Sequence, residues 1–183
     1  DPTMESTTAS EDVTGLGMAF GTLEEGRAWV GRRSEPKRGW FPIDRSMVLY
    51  YCALVEDSNP RYWEGEECPP GLLMSLGFNP PWMPEHLRRD DGLFALRVPL
   101  PGRHIINAST TTEFERRPRI GDQVSIDDEI VSISEQKTTR LGTGVFITTL
   151  TVYRDQDGET IGRNTNVLFR YDTPDTPTAQ EQA

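Results

Sequence analysis

Apolar and polar positions divide the chain into a helical first half and a β-rich second half. Thr22-Leu23-Glu24-Glu25 has the hydroxyl-to-carboxylate spacing of a capping box. It predicts a short helix that carries Leu23, Trp29 and Val30 and ends near Gly31. Asp44 caps a stronger helix, in which Met47, Tyr50, Tyr51, Leu54 and Val55 recur at helical spacing and Pro60 closes the run. Pro69 and Pro70 open a second apolar helix, Gly71 to Phe78, apolar nearly all round and so expected to be buried. Residues 79–102 read as a proline-rich flap with one strand at Leu93–Val98.

From Arg103 onward, β-branched enrichment and turn punctuation predict four strands, at about 104–116, 122–136, 139–154 and 160–171. Pro118–Asp122 and Asp155–Gly158 are the turns, the second of hairpin type. Val124, Ile126 and Ile130 share one face, whereas Val131 and Ile133 share the other, so a bulge is expected near Ile130. Val145 to Val152 starts apolar on both faces, the pattern of a central strand. The expected fold class is α+β, a long curved antiparallel sheet wrapped around a buried helix. Strands this long leave edges that a second chain can cover.

Composition trims this picture at both ends. Apolar residues make up 35% of the 183 positions, which is low for a folded domain. Residues 1–20 are expected as a disordered or extended tail, 21–171 as one domain, and 172–183 as a disordered acidic tail. The net charge is −10, with −4 in residues 1–12 and −3 in residues 172–183. The body is near −3 and shows no basic stripe, which argues against nucleic acid and against anionic membranes as partners. No apolar run reaches spanning length. Cys52 and Cys68 lack metal-site spacing and read as free thiols, in keeping with a reducing cytoplasm. No metal site is expected from His86 and His104, which lie far apart.

One stretch combines an acid, a turn and an aromatic pair between two apolar segments. It runs from Tyr50-Tyr51 through Glu56-Asp57-Ser58-Asn59-Pro60-Arg61-Tyr62. It resembles the hydratase motif of MaoC-like proteins in the hot-dog superfamily, an aromatic-led helix followed by Gly-Asp-x-Asn-Pro-x-His. Phe114 to Asp122 is similar to that family's aromatic–proline–Gly-Asp turn, with the proline one position late, and Lys137 to Gly144 to its next hairpin. The match covers about residues 22–170 and is nearer to the N-terminal, dehydratase-like branch.

The resemblance implies a hot-dog fold and hydration of an enoyl thioester. In the family an Asp and a His hold the water, and N–H groups at the buried helix start polarise the thioester oxygen. Asp57 takes the Asp position and Tyr62 the His position. A phenol, with a pKa of about 10, is a poor base at neutral pH. By resemblance, Asn59 and the Gly71 N–H would meet the substrate. Trp63, Phe78 and Trp82 crowd the proline-rich flap, which suits a wide apolar pocket for the substrate, although these aromatics and Gly71 also fit plain core packing. Coenzyme A enters only as the thioester substrate, with no cofactor implied. Arg32, Arg33, Lys37 and Arg38 in the basic loop 31–39, and Arg140, are candidates for its phosphates, though a basic loop is also an ordinary solvated turn.

Three readings follow. The chain is an accessory, non-catalytic half of a hetero-oligomeric hydratase, with Asp57 vestigial and a homologous partner supplying the intact Asp/His pair. Alternatively it is a self-sufficient hydratase working through Asp57, or a hot-dog acyl-CoA or small-ligand binding module. The resemblance extends to subunits acting on steroid side-chain thioesters, which implies a bulky acyl group. Asp-Ser-Asn-Pro is also a common way to end a helix, whatever the function.

Overall fold

Helices come first and the sheet follows. The computed structural model describes residues 17–77, 80, 82–89 and 92–174. Helix α1 spans Leu23–Arg27, strand β1 Lys37–Arg38, helix α2 Arg45–Val55 and helix α3 Pro60–Trp63. Then come β2 (His104–Phe114), β3 (Ser125–Ile133), β4 (Lys137–Thr138), β5 (Thr143–Arg154) and β6 (Thr160–Asp172). The strands form one six-stranded antiparallel sheet in the order β1-β3-β5-β6-β2, with β4 paired to β5.

The local signals explain most of these elements. The Thr22 hydroxyl accepts the Glu25 N–H at 3.2 Å while the Glu25 carboxylate accepts the Thr22 N–H at 2.7 Å, completing the capping box. The helix stops at Arg27, short of Gly31. Asp44 caps α2 by accepting the Met47 N–H at 2.9 Å. Register slips between Ile130 and Ser132, so Val131 is the bulge residue and turns outward. A second bulge lies between Asn107 and Ser109 in β2. Strand β5 is central, with Val145, Ile147 and Tyr153 buried on one face and Phe146 stacked on Phe169 on the other.

The helical half departs from expectation in three places. In α2 the buried positions are Val48 and Cys52, whereas Tyr50 and Leu54 are 75% and 83% exposed. The stripe that looked like a core face therefore points away from the core, with only Met47 and Tyr51 packed at its margin. Pro60 does not close α2. The helix ends at Val55, and Pro60 opens α3 at the first position, where its missing N–H costs nothing. Leu93–Val98 is not a strand: Phe94–Arg97 is a 3-10 turn whose N–H groups bond locally, Leu96 to Leu93 and Val98 to Ala95.

The expected buried helix is also a 3-10 segment, Pro70–Gly77, and Phe78 lies outside the described residues. It buries Leu72, Leu73 and Leu76 and exposes Met74, because three residues per turn line up Leu73 and Leu76 on one side. The expected tail segments 1–16 and 175–183 lie outside the described residues, as do Asn79, Pro81, Asp90 and Asp91 of the flap. Met18 is buried and the Ala19 N–H bonds to the Leu96 carbonyl at 2.8 Å.

The core is split. One cluster joins Ile43, Val48, Cys52, Tyr62, Leu73, Val124, Tyr153 and Ile161. The other joins Phe94, Val98, Leu100, Ile130, Val145, Ile147 and Leu168. Both lean on the same sheet.

Candidate functional site

The turn after α2 is built by backbone capping. Glu56 takes the left-handed conformation (φ 55°, ψ 36°), and it and Asp57 both donate their N–H groups to the Cys52 carbonyl. That position favours glycine, which accounts for the glycine in the motif this stretch resembles. The Asp57 carboxylate accepts the Asn59 N–H at 3.0 Å, and the Asn59 side chain caps α3 by accepting the Arg61 N–H at 3.1 Å. The Trp63 indole donates to the Asp57 carbonyl at 2.6 Å. Arg45 Nη1 then donates to the carbonyls of Tyr62, Trp63 and Gly65 at 3.3, 3.3 and 2.8 Å, tying α2 to α3. Asp57, Asn59 and Trp63 are thus brought together, and each is engaged in holding the turn.

Tyr62 faces the other way. It is 4% exposed and packs in the first core cluster. Its hydroxyl accepts from Arg117 Nη1 at 3.1 Å, and Arg117 Nε lies 3.4 Å from Glu67. Gly71 is exposed and stands against the Tyr51 hydroxyl, which fills the space a Cβ would take. Trp82 is 79% exposed and stands apart from the turn's hydrogen bonds.

The downstream Gly-Asp turn has a clear structural job. Gly121 takes φ 96°, and the buried Asp122 carboxylate accepts the Arg119 N–H at 2.8 Å. Arg116 forks onto Asp122 at 2.8 and 3.1 Å and reaches Asp155 at 2.7 Å. Burial pushes the Asp155 pKa up, but Arg116 and the N–H groups of Glu159 and Asp157 outweigh it and leave the carboxyl below its ordinary value. The cysteines are inert by contrast: burial raises the Cys68 thiol to about 12 and also raises Cys52, and both thiols are free.

Two cavities lie elsewhere. A basin of about 610 Å³ is lined by Arg33, Lys37, Arg38, Arg89 and Arg97 together with Trp40. Of the basic residues singled out from sequence, Arg33, Lys37 and Arg38 line it. Arg32 instead sits over the Trp29 ring, 4.8 Å from its centroid, and Arg140 belongs to the β4–β5 turn. A smaller pouch of about 130 Å³ lies under the sheet, lined by Asp128, Thr149, Thr151, Tyr153, Asn164 and Asn166 among others. Asp57, Asn59, Tyr62, Trp63, Gly71 and Trp82 line neither cavity. Sequence reading missed Arg117, Trp40, the two flap arginines and the whole pouch. One signal was available: Asn164 and Asn166 interrupt β6 where a core-facing strand would carry apolar residues.

Among the described residues no cluster of His, Cys, Asp and Glu has metal-site geometry, and no helix is long and apolar enough to cross a membrane. Residues 28–163 match the family model of the FAS1-like dehydratase domain region. The chain belongs to that family. A curated relative in Thermomonospora curvata, described as a probable enoyl-CoA hydratase alpha subunit, is 32% identical over 160 residues. The alignment covers 79% of this chain, and the chain spans about half (50%) of that relative's length. The ChsH1-ChsH2 complex from Mycobacterium tuberculosis contains a chain that superposes with TM-score 0.67 at 19% identity, covering 84% of this chain and 95% of that one. A MaoC-like dehydratase from Rhodospirillum rubrum superposes with TM-score 0.56 at 17% identity, over 79% and 94%. The fold of this family member is the hot-dog arrangement expected from the motif.

Proposed function

We propose that the chain is an accessory subunit of a hetero-oligomeric enoyl-CoA hydratase, which adds water across the 2,3 double bond of an enoyl thioester. The observation that carries this reading is the orientation of Tyr62. The side chain at the family's base position is buried in the core, its hydroxyl is held by Arg117, and it lines neither cavity. Asp57 is left to shape a turn. Hydration needs a base to take a proton from water and a donor to protonate the α-carbon. A homologous partner with an intact Asp/His pair supplies both. The relative's description as an alpha subunit and the two-component complex among the structural neighbours support a partner of this kind.

The molecule offers that partner two surfaces. Strand β2 is eleven residues long and, among the described residues, pairs only with β6, which leaves its other edge open to a partner. Helix α2 exposes Tyr50, Leu54 and Val55. By resemblance the acyl group is bulky, of the polycyclic kind, and the buried free thiols suit the cytoplasm.

The test is hydration of crotonyl-CoA and longer enoyl-CoA thioesters by the purified chain and by the chain co-expressed with a homologue carrying Asp-x-Asn-Pro-x-His. The chain alone is expected to be inactive and the complex active, with Asp57→Asn leaving the rate of the complex within about twofold. Turnover by the chain alone that Asp57→Asn abolishes would overturn the reading in favour of a self-sufficient hydratase.

A further inference from the structure

The inner face of the sheet carries polar residues where a core belongs. Strand register places Asp128 opposite Thr151, Thr151 opposite Asn164, and Asn164 opposite Thr112. One polar row thus crosses four strands, from β3 through β5 and β6 to β2. A second row runs beside it, with Thr149 opposite Asn166 and Asn166 opposite Thr110. Thr151 donates to Asp128 at 2.5 Å, Thr112 to Asn164 at 2.8 Å and Thr110 to Asn166 at 2.8 Å. These rows separate the two apolar clusters, with Tyr153 and Ile161 on one side and Ile147 and Leu168 on the other.

Filling this middle with valine and isoleucine would be the ordinary way to stabilise such a sheet, so a polar row under a cavity needs another reason. The groups are also not exhausted by one another. Tyr153 and Thr149 line the pouch, and their hydroxyls make no side-chain hydrogen bond among the described residues. Burial raises the pKa of Asp128, which marks its carboxyl as held at a cost to stability.

The basin and the pouch adjoin, since Lys37 and Phe94 line both. The described charged side chains around the basin are five cations and one carboxylate, Glu35. Arg33 pairs with Glu129 outside that set, and Lys37 forms no ion pair among the described residues. This is a cationic hollow on an otherwise acidic chain.

We propose that basin and pouch form one ligand channel for an acyl conjugate of a phosphorylated carrier. The basin takes the phosphates, and Asp128 accepts a hydrogen bond from a hydroxyl on the acyl body. The apolar walls of the pouch, Ile126, Leu168 and Phe94, take the part of that body next to the hydroxyl. The channel is separate from the Asp57 turn, and it deepens the proposed function by naming where this subunit holds substrate and which acyl groups it selects. It rests on that reading for the carrier being coenzyme A.

The test is calorimetric titration of the purified chain, without a partner, with coenzyme A, inorganic pyrophosphate, octanoyl-CoA and ω-hydroxyoctanoyl-CoA. Coenzyme A is expected to bind, and the double change Lys37→Ala with Arg38→Ala should weaken it by about tenfold, with pyrophosphate weakened in parallel. The ω-hydroxy thioester should bind about tenfold tighter than octanoyl-CoA. Asp128→Leu should abolish that preference. Thr149→Val, close in shape, serves as the second variant and should narrow the preference about threefold. Circular dichroism melts confirm that each variant folds. No binding of coenzyme A at millimolar concentration would overturn the proposal, as would binding indifferent to the basic changes or a hydroxyl preference that survives in both pouch variants. Because no partner is present, these outcomes are independent of whether a hydratase complex forms.

Discussion

Tyr62→His restores the family motif in sequence and should still fail to restore chemistry. Tyr62 is 4% exposed, so the substitution exchanges a large buried ring for a smaller polar one. The apolar area lost is on the order of 60 Å², about 1.5 kcal/mol at 25 cal/mol per Å². The residual void adds to this. The bond from Arg117 at 3.1 Å is lost as well, a further ~0.5–1 kcal/mol because Arg117 is exposed and keeps Glu67 and water. The total is about 2–4 kcal/mol, or a fall of ~5–12 °C in Tm for a chain of this size. Tyr62→Phe isolates the hydroxyl and should cost under about 1 kcal/mol. A buried imidazole is held neutral by desolvation, so the histidine variant should weaken further as pH falls below about 6.5, where the unfolded chain takes up a proton. Urea unfolding at pH 8 and pH 5.5, beside enoyl-CoA hydration by the chain alone, measures all of this. A variant as stable as the parent that also hydrates crotonyl-CoA would show that position 62 faces a substrate site and would refute the argument.

Two further outcomes test the frame around the site. Asp155→Asn keeps the oxygen that accepts the Asp157 and Glu159 N–H groups but loses the charge facing Arg116, and should cost about 1–2 kcal/mol at pH 7. The native carboxyl lies below the ordinary 3.8, so its contribution is present above that value and lost as pH falls through the folded pKa. The difference between parent and variant should therefore vanish in urea melts near pH 2, and a constant difference at both pH values would contradict the assignment. Glu56→Gly relieves a left-handed backbone that costs a side chain about 1–2 kcal/mol, against ~0.4–1 kcal/mol of added chain entropy. It should raise Tm by about 1–3 °C, and a lower Tm would show that Glu56 is held by something other than backbone geometry.

The strands were legible because each carries its own signal: β-branched runs, turn residues, and a phase slip that pointed to a bulge near Ile130, one residue from where it lies. The Asp57-Ser58-Asn59-Pro60 turn was legible for the same reason, since its hydrogen bonds span only two residues. Helix α2 was misread in phase. Tyr50 and Leu54 form a good amphipathic stripe, but nothing local distinguishes a stripe that faces the core from one that faces out. Leu93–Val98 was misread because an apolar run between Gly92 and Pro99 fits a strand until one asks where its N–H groups go. Tyr62 was beyond reach, because its direction depends on Arg117, fifty-five positions away.

The polar row was hidden by the same distance. Asn164 breaks the apolar pattern of β6, but Asp128, Thr151 and Thr112 are unremarkable within their own strands, and the four become a row only when three registers are known together. Its course has a consequence for assembly. The row begins at Asp128 beneath the sheet and ends at Thr112 on β2, the last strand of the sheet among the described residues. A partner strand pairing along that edge would lie beside the row's last member and extend the same polar face. A substrate held in the pouch would then lie on the face shared with the proposed catalytic partner, while Arg45 ties α2 to α3 beside the first core cluster. In that arrangement the accessory chain selects and holds the acyl group, and the chemistry falls to the chain that docks against β2.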